Sequence, residues 1–216
     1  MKHCYKFVVT LVLLAITGSA QAILIDFKAL ADGADGERGY DPSYTPSTYS
    51  GLTVTASTGN TTAFPYMDSG SAGLGVCNNL DSADQCDPSN DDNVTIDEIL
   101  HFLFAPPVNV TAIWFNNNHD GDKSLADNTV LIGGSPHSFQ SSDSDPTRGG
   151  DFLYVANITA GSFDIAYGGT APEQFYVSAI EFEDFPGGGV PEPATVLLMG
   201  LGLVGLGYAR RRRLDG

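Results

Sequence analysis

Positive charge is scarce in this chain. Ten lysines and arginines stand against 26 acidic residues, for a net charge of −16 at pH 7 over 216 residues. Most of the ten sit at the termini: Lys2 and Lys6 precede an apolar run, and Arg210, Arg211, Arg212 and Arg213 form a cluster near the end. Between residues 23 and 189 only Lys28, Arg38, Lys123 and Arg148 are basic, yet all the acidic residues except Glu192 and Asp215 fall there. A body this acidic repels phosphate backbones and anionic lipid, which excludes nucleic-acid binding and favours divalent cations or cationic partners.

Cysteine is nearly absent as well. Of three, Cys4 lies in the N-terminal leader, and Cys77 and Cys86 share the stretch GVCNNLDSADQCDP. No other cysteine or histidine completes a zinc finger around them. Two cysteines exported to an oxidising compartment are expected to pair, and closing so short a loop stabilises by about 2.5 to 3 kcal/mol on the chain-entropy model.

Catalytic signatures are missing too: there is no G-x-S-x-G elbow, no H-E-x-x-H and no glycine-rich phosphate loop opening a helix. The chain is therefore expected not to be an enzyme. His101, in EILHFLF, alternates with Leu100 and Phe102 and reads as a surface histidine of a strand. Glu181 and Glu183 share a strand face as glycosidase carboxylates do, but a solvated acidic edge has the same pattern.

What is present begins with an export leader. Residues 1–22 carry Lys2 and Lys6, the apolar run Phe7 to Ile16 and the small-residue site Ala20-Gln21-Ala22, the three-part layout of a signal peptide cleaved before Ile23 by the export (Sec) machinery. At the other end Val190-Pro191-Glu192-Pro193 is followed by an uncharged stretch from Ala194 to Tyr208 and then by the arginines. The expected transmembrane helix, residues 194–209, is shorter than the roughly 20 residues of a comfortable span. The arginines offset the mismatch by snorkelling and fix the tail's end on the cytoplasmic side, which leaves the body facing outward.

This ordered tail resembles the PEP-CTERM sorting signal of Gram-negative bacteria. The segment is also named an ice-binding protein C-terminal domain, a label that implies nothing about ice. The resemblance implies recognition of Pro191, Glu192 and Pro193 by exosortase, a membrane cysteine transpeptidase, after transient anchoring in the inner membrane. It further implies a destination at the cell surface or outside the cell, in the extracellular polysaccharide matrix.

The body, residues 23–186, is expected to be all-β: a two-sheet antiparallel sandwich of jelly-roll type, joined to the sorting signal at 190–213 by the glycine linker 187–189. Apolar runs are short and bounded by Gly, Pro, Asn or Asp, and helical periodicity is confined to the termini. Pro106-Pro107 and Asn157-Ile-Thr-Ala-Gly161 read as breaks between strands. Trp114 and the tyrosines Tyr40, Tyr44 and Tyr49 offer rings for stacking on sugars if exposed, hence an alternative reading as a carbohydrate-binding or adhesive module. A secreted hydrolase is a further alternative.

A calcium site is a last expectation. In NNNHDGDKSLAD, residues 116–127, Asn116, Asn118, Asp120, Asp122, Ser124 and Asp127 fall near the oxygen-ligand spacing of a calcium loop. The competing site is the acidic run holding Asp81, Asp84, Asp87, Asp91 and Asp92, whose charges repel unless a cation intervenes. Asp-Gly is equally a turn between strands.

Overall fold

The computed structural model describes residues 22–59, 61–117, 119, 124–169 and 174–184. The signal peptide before Ala22, the glycine linker, the motif Val190 to Pro193, the span 194–209 and the arginine cluster lie outside these, as do Asn118, Asp120 and Asp122 of the expected calcium loop. Among the described residues no helix is long and apolar enough to cross a membrane.

The body is all-β. Its elements are β1 (Ala22–Asp26), α1 (Phe27–Ala31), β2 (Arg38–Gly39), β3 (Leu52–Thr58), β4 (Thr61–Asp68), β5 (Gly73–Cys77), β6 (Glu98–Asn116), β7 (Thr129–Ile132), β8 (Ser135–Ser138), β9 (Ser144–Asp145), β10 (Asp151–Tyr167) and β11 (Tyr176–Asp184). All strand pairings are antiparallel.

The expected pair of separate sheets is not what forms. All the strands belong to one sheet, whose main path is β1-β11-β5-β4-β3-β6-β10-β7-β8, with β2 on β4 and β9 on β10, and β11 pairs again with β6. That second pairing closes β6, β3, β4, β5 and β11 into a barrel. Closure depends on the length of β6. Its first half bonds to β3, from Leu52↔Phe104 to Thr58↔Glu98, and its second half bonds to β11, from Asp184↔Val108 to Tyr176↔Asn116.

The changeover falls at Pro106-Pro107. There β6 bulges away from β10, whose register jumps from Ala160↔Val108 to Ser162↔Leu103. A proline lacks the amide a ladder needs, and a bulge is a place where none is required. The pair therefore bends one strand instead of separating two. Residues 157–161 likewise make no hairpin: they lie inside β10, between register shifts at Val155/Ile158 and Ala160/Ser162.

Alternation along β6 fills the core, with Leu100, Phe102, Phe104, Val108 and Val110 buried and His101 and Leu103 facing out. Phe102 stacks on Phe163 at 5.2 Å, and Phe104 meets Phe182 edge-on at 5.1 Å. Each such ring removed from water stabilises by about 1.5 to 3 kcal/mol. Helix α1, capped by the Asp26 side chain accepting from the Ala29 amide, buries Phe27, Leu30 and Ala31 in the same core.

Candidate metal centre

At one end of the barrel the β4–β5 hairpin, the segment after the disulfide loop and the residues following β6 converge. Asp68 is the last residue of β4 and pairs with Gly73 across the hairpin. Asp92 is brought in by a close backbone approach, with Val76 N donating to Asn93 O at 3.1 Å. Residue 75 must be glycine for this, since a Cβ there would lie 2.0 Å from Asp92 O. Gly73 takes φ +125° where a Cβ would meet Val177 O at 2.7 Å. Asn116, closing β6, donates from Nδ2 to Ala72 O at 2.7 Å and ties that strand to the hairpin turn. His119 follows three residues later.

One ligand-type atom from each of Asp68, Asp92 and His119 lies within 4.8 Å of the other two. Asp68 and Asp92 are buried, at 2 % and 4 % exposure, and the His119 side chain is 44 % exposed. Asp68 Oδ2 stands 2.9 Å from His119 Nδ1 but is not aligned as a hydrogen bond and accepts none. Tyr176, first residue of β11, donates its hydroxyl to Asp92 Oδ1 at 2.9 Å in the interior and orients that carboxylate. Burial first and the Asp92 charge second push Asp68 up to about 7, while His119 and the nearby Tyr176 hydroxyl pull the other way. Two carboxylates and one imidazole are donors of the type that holds a divalent cation.

These residues connect the two cation sites expected from sequence, because His119 comes from the 116–127 loop and Asp92 from the acidic run. Of the 116–127 loop, Asn116 donates from Nδ2 to Ala72 O, and Asp127 occupies a turn at φ 70°, its backbone amide donating to Phe139 O; Asn118, Asp120 and Asp122 lie outside the described residues. In the acidic run, Asp81 accepts from the Ala83 and Gln85 amides, Asp91 binds Asn78, and Asp92 alone turns toward Asp68. Asp68 carried no signal in the sequence, being one acid at the end of a strand. Cys77 and Cys86 are joined as expected.

Each of the four aromatic rings has a packing partner within the body. Trp114 is 8 % exposed, donates from Nε1 to Asp145 and lies 4.9 Å beneath the Arg148 guanidinium. Tyr44 is fully buried with its hydroxyl on Asp35, Tyr40 packs on Tyr44 at 4.7 Å, and Tyr49 packs on Phe182 at 4.9 Å.

His101 does face out, and it joins a chain the sequence did not reveal. Ser57 Oγ is 2.9 Å from His101 Nε2, and His101 Nδ1 is 2.8 Å from Asp164 Oδ1, across β3, β6 and β10. The atom order is that of a serine-hydrolase triad. Its setting differs, since the His101 and Asp164 side chains are 37 % and 56 % exposed and the surrounding strand amides belong to the β3–β6 and β6–β10 ladders.

The body is thus an acidic, disulfide-linked all-β domain with donors of metal-ligand type at one end of its barrel. Its sorting class is set by the C-terminus, where residues 189–213 match the family model of the PEP-CTERM protein-sorting motif. The chain carries that motif, which implies export, exosortase processing and surface sorting. Searches of curated proteins and of solved structures each found no match.

Proposed function

We propose that the body is a non-enzymatic domain displayed at the cell surface or released from it, serving as a component of the extracellular polysaccharide matrix. The observation that carries this is the pairing of the sorting motif at 189–213 with an acidic body rich in Gly, Ser, Thr and Asn. A hydrated polyanionic surface resists collapse and mixes with charged polysaccharide through shared divalent cations. The solvent exposure of His101 and Asp164, at 37 % and 56 %, supports the non-enzymatic reading, because a triad works in a site that excludes water.

Fractionation tests the location and role. Mass spectrometry of the surface fraction should find a form starting near Ile23 and lacking Arg210 to Arg213, and that form should co-sediment with isolated matrix polysaccharide. Intact Arg213 in the released fraction, or a body that stays soluble beside the polysaccharide, overturns the proposal.

The hydrolase reading is kept as a second one because of Ser57, His101 and Asp164. It requires labelling of Ser57 by a fluorophosphonate, lost in His101→Ala. An unlabelled protein removes it.

A further inference from the structure

The geometry points to a divalent transition-metal site, of the kind zinc occupies, held by Asp68, Asp92 and His119 at the barrel end. Four observations support it. The three donor atoms already lie within 4.8 Å of one another. Metal bonds of about 2.0 to 2.2 Å put tetrahedral ligands roughly 3.3 Å apart, so the side chains need only small adjustments to close on an ion.

Asp68 Oδ2 is buried and aimed into the cluster, accepts no hydrogen bond, and faces His119 Nδ1 at 2.9 Å without the alignment of an ordinary pair. Such an approach leaves the Asp68 Oδ2 lone pairs available to a third party. A supporting residue is also in place: the Tyr176 hydroxyl fixes Asp92 from behind at 2.9 Å, as outer partners fix metal-bound carboxylates. Lastly, backbone devices position the donors. Residue 75 has no room for a side chain because the chain at Asp92 passes over it, and Asn116 pins the start of the His119 segment to the hairpin that ends at Asp68.

The donor chemistry chooses among cations. Calcium prefers six to eight oxygens, whereas one imidazole nitrogen with two carboxylates suits zinc and its neighbours in the first transition row. Three protein ligands leave a coordination position for water or an external ligand, which suits a site that bridges to a polysaccharide carboxylate or to a second molecule.

The test is metal binding by the purified exported protein after EDTA stripping and desalting, followed by calorimetry with zinc chloride and with calcium chloride. One equivalent of zinc should bind, at least tenfold more tightly than calcium. His119→Gln and Asp68→Asn, each confirmed as folded by circular dichroism, should weaken zinc by at least about 100-fold, beyond the loss expected for Tyr176→Phe, about 10-fold. His137→Gln should leave affinity unchanged. Failure of the parent protein to take up zinc, binding of calcium alone, or undiminished zinc affinity in folded His119→Gln overturns the assignment. If His119→Gln does not fold, Asp68→Asn decides by the same criterion, and Tyr176→Phe decides if neither folds.

Discussion

Two clusters of buried carboxylates in one small domain are treated very differently. Around α1, Asp151 is fully buried and receives Lys28 Nζ at 2.6 Å, while Arg148 binds Asp26 at 2.7 Å and offers its carbonyl to Lys28. At the barrel end, Asp68 and Asp92 are as deeply buried, and Asp68 meets the half-exposed His119 while Asp92 holds the Tyr176 hydroxyl. The body has four basic residues, and two of them serve the first cluster. A buried charge is retained where it has a counter-charge or a ligand. In the first cluster each carboxylate has a lysine or arginine counter-charge, so its role is to hold the fold. In the second, Asp68 Oδ2 is buried and accepts no hydrogen bond, which marks it as a candidate site.

The largest effect is expected from breaking the complete cluster. Lys28→Ala leaves Asp151 in the interior without its ammonium and should cost about 3 to 5 kcal/mol, read as a lower urea midpoint at unchanged slope. Adding Asp151→Asn to Lys28→Ala should restore a large part of the loss. A double variant as unstable as the single would show that packing of the lysine stem, not charge, holds that corner.

The disulfide comes next, because it spans the segment that leads to Asp92. Cys77→Ser with Cys86→Ser should cost about 2.5 to 3 kcal/mol through the freer unfolded chain. It should also weaken zinc binding while leaving the benefit of Lys28 intact when measured in the same background. Equal damage at both clusters would mean that they are not energetically separate.

The contrast between the clusters was only partly legible in the sequence. All-β character was legible because strands such as Thr129–Ile132 and Leu52–Thr58 carry a period of two between turn residues. Closure into a barrel was not, since it depends on β6 and β10 each running through an apparent break. Pro106-Pro107 and the Asn157–Gly161 stretch have turn chemistry, and only the partner strand's register shows that they occupy bulges. Strand β5 was not legible for another reason: GLGVC has the glycines of a turn, yet all five residues are buried and both glycines make way for neighbouring backbone. Acidic loops announced a cation, but the partners Asp68, Asp92 and His119 are far apart in the chain and meet only through topology. The sorting motif and the Cys77–Cys86 pairing were readable because each is local.

A third, smaller effect tests whether burial without a cation gives the pH response it should. Glu98 is 2 % exposed and accepts from Asn78 Nδ2 at 2.7 Å and from the Thr95 amide at 2.8 Å. Burial pushes its carboxyl up to about 7 despite those bonds. A carboxyl raised on folding binds its proton more tightly in the folded state. Its contribution is therefore full below the ordinary carboxylate range and is lost as pH rises through 7. Between pH 5 and pH 8 the metal-free protein should lose on the order of 2 kcal/mol through this group, and Glu98→Gln should flatten that part of the profile. An unaltered slope in Glu98→Gln would place the titration elsewhere, with Asp68 the next group to test.

The smallest expected effect is also the one that most sharply separates the two clusters. Asp68→Asn keeps the shape of the side chain and removes one of two neighbouring negative charges. If Asp68 and His119 were a structural ion pair of the Lys28–Asp151 kind, the substitution would cost several kcal/mol. The unaligned contact, the exposure of His119 and the nearby Asp92 charge argue instead that the pair contributes little without metal. Above pH 7, where Asp68 is ionised and repelled by Asp92, neutralising it should relieve about as much as the lost contact with His119 supplies. The metal-free Asp68→Asn protein should unfold within about 1 kcal/mol of the parent at pH 8. With saturating zinc the two should diverge, since only the parent gains the stabilisation that accompanies binding to the folded state. A loss above about 2 kcal/mol in EDTA would make Asp68 a structural residue like Asp151 and remove the distinction between the clusters.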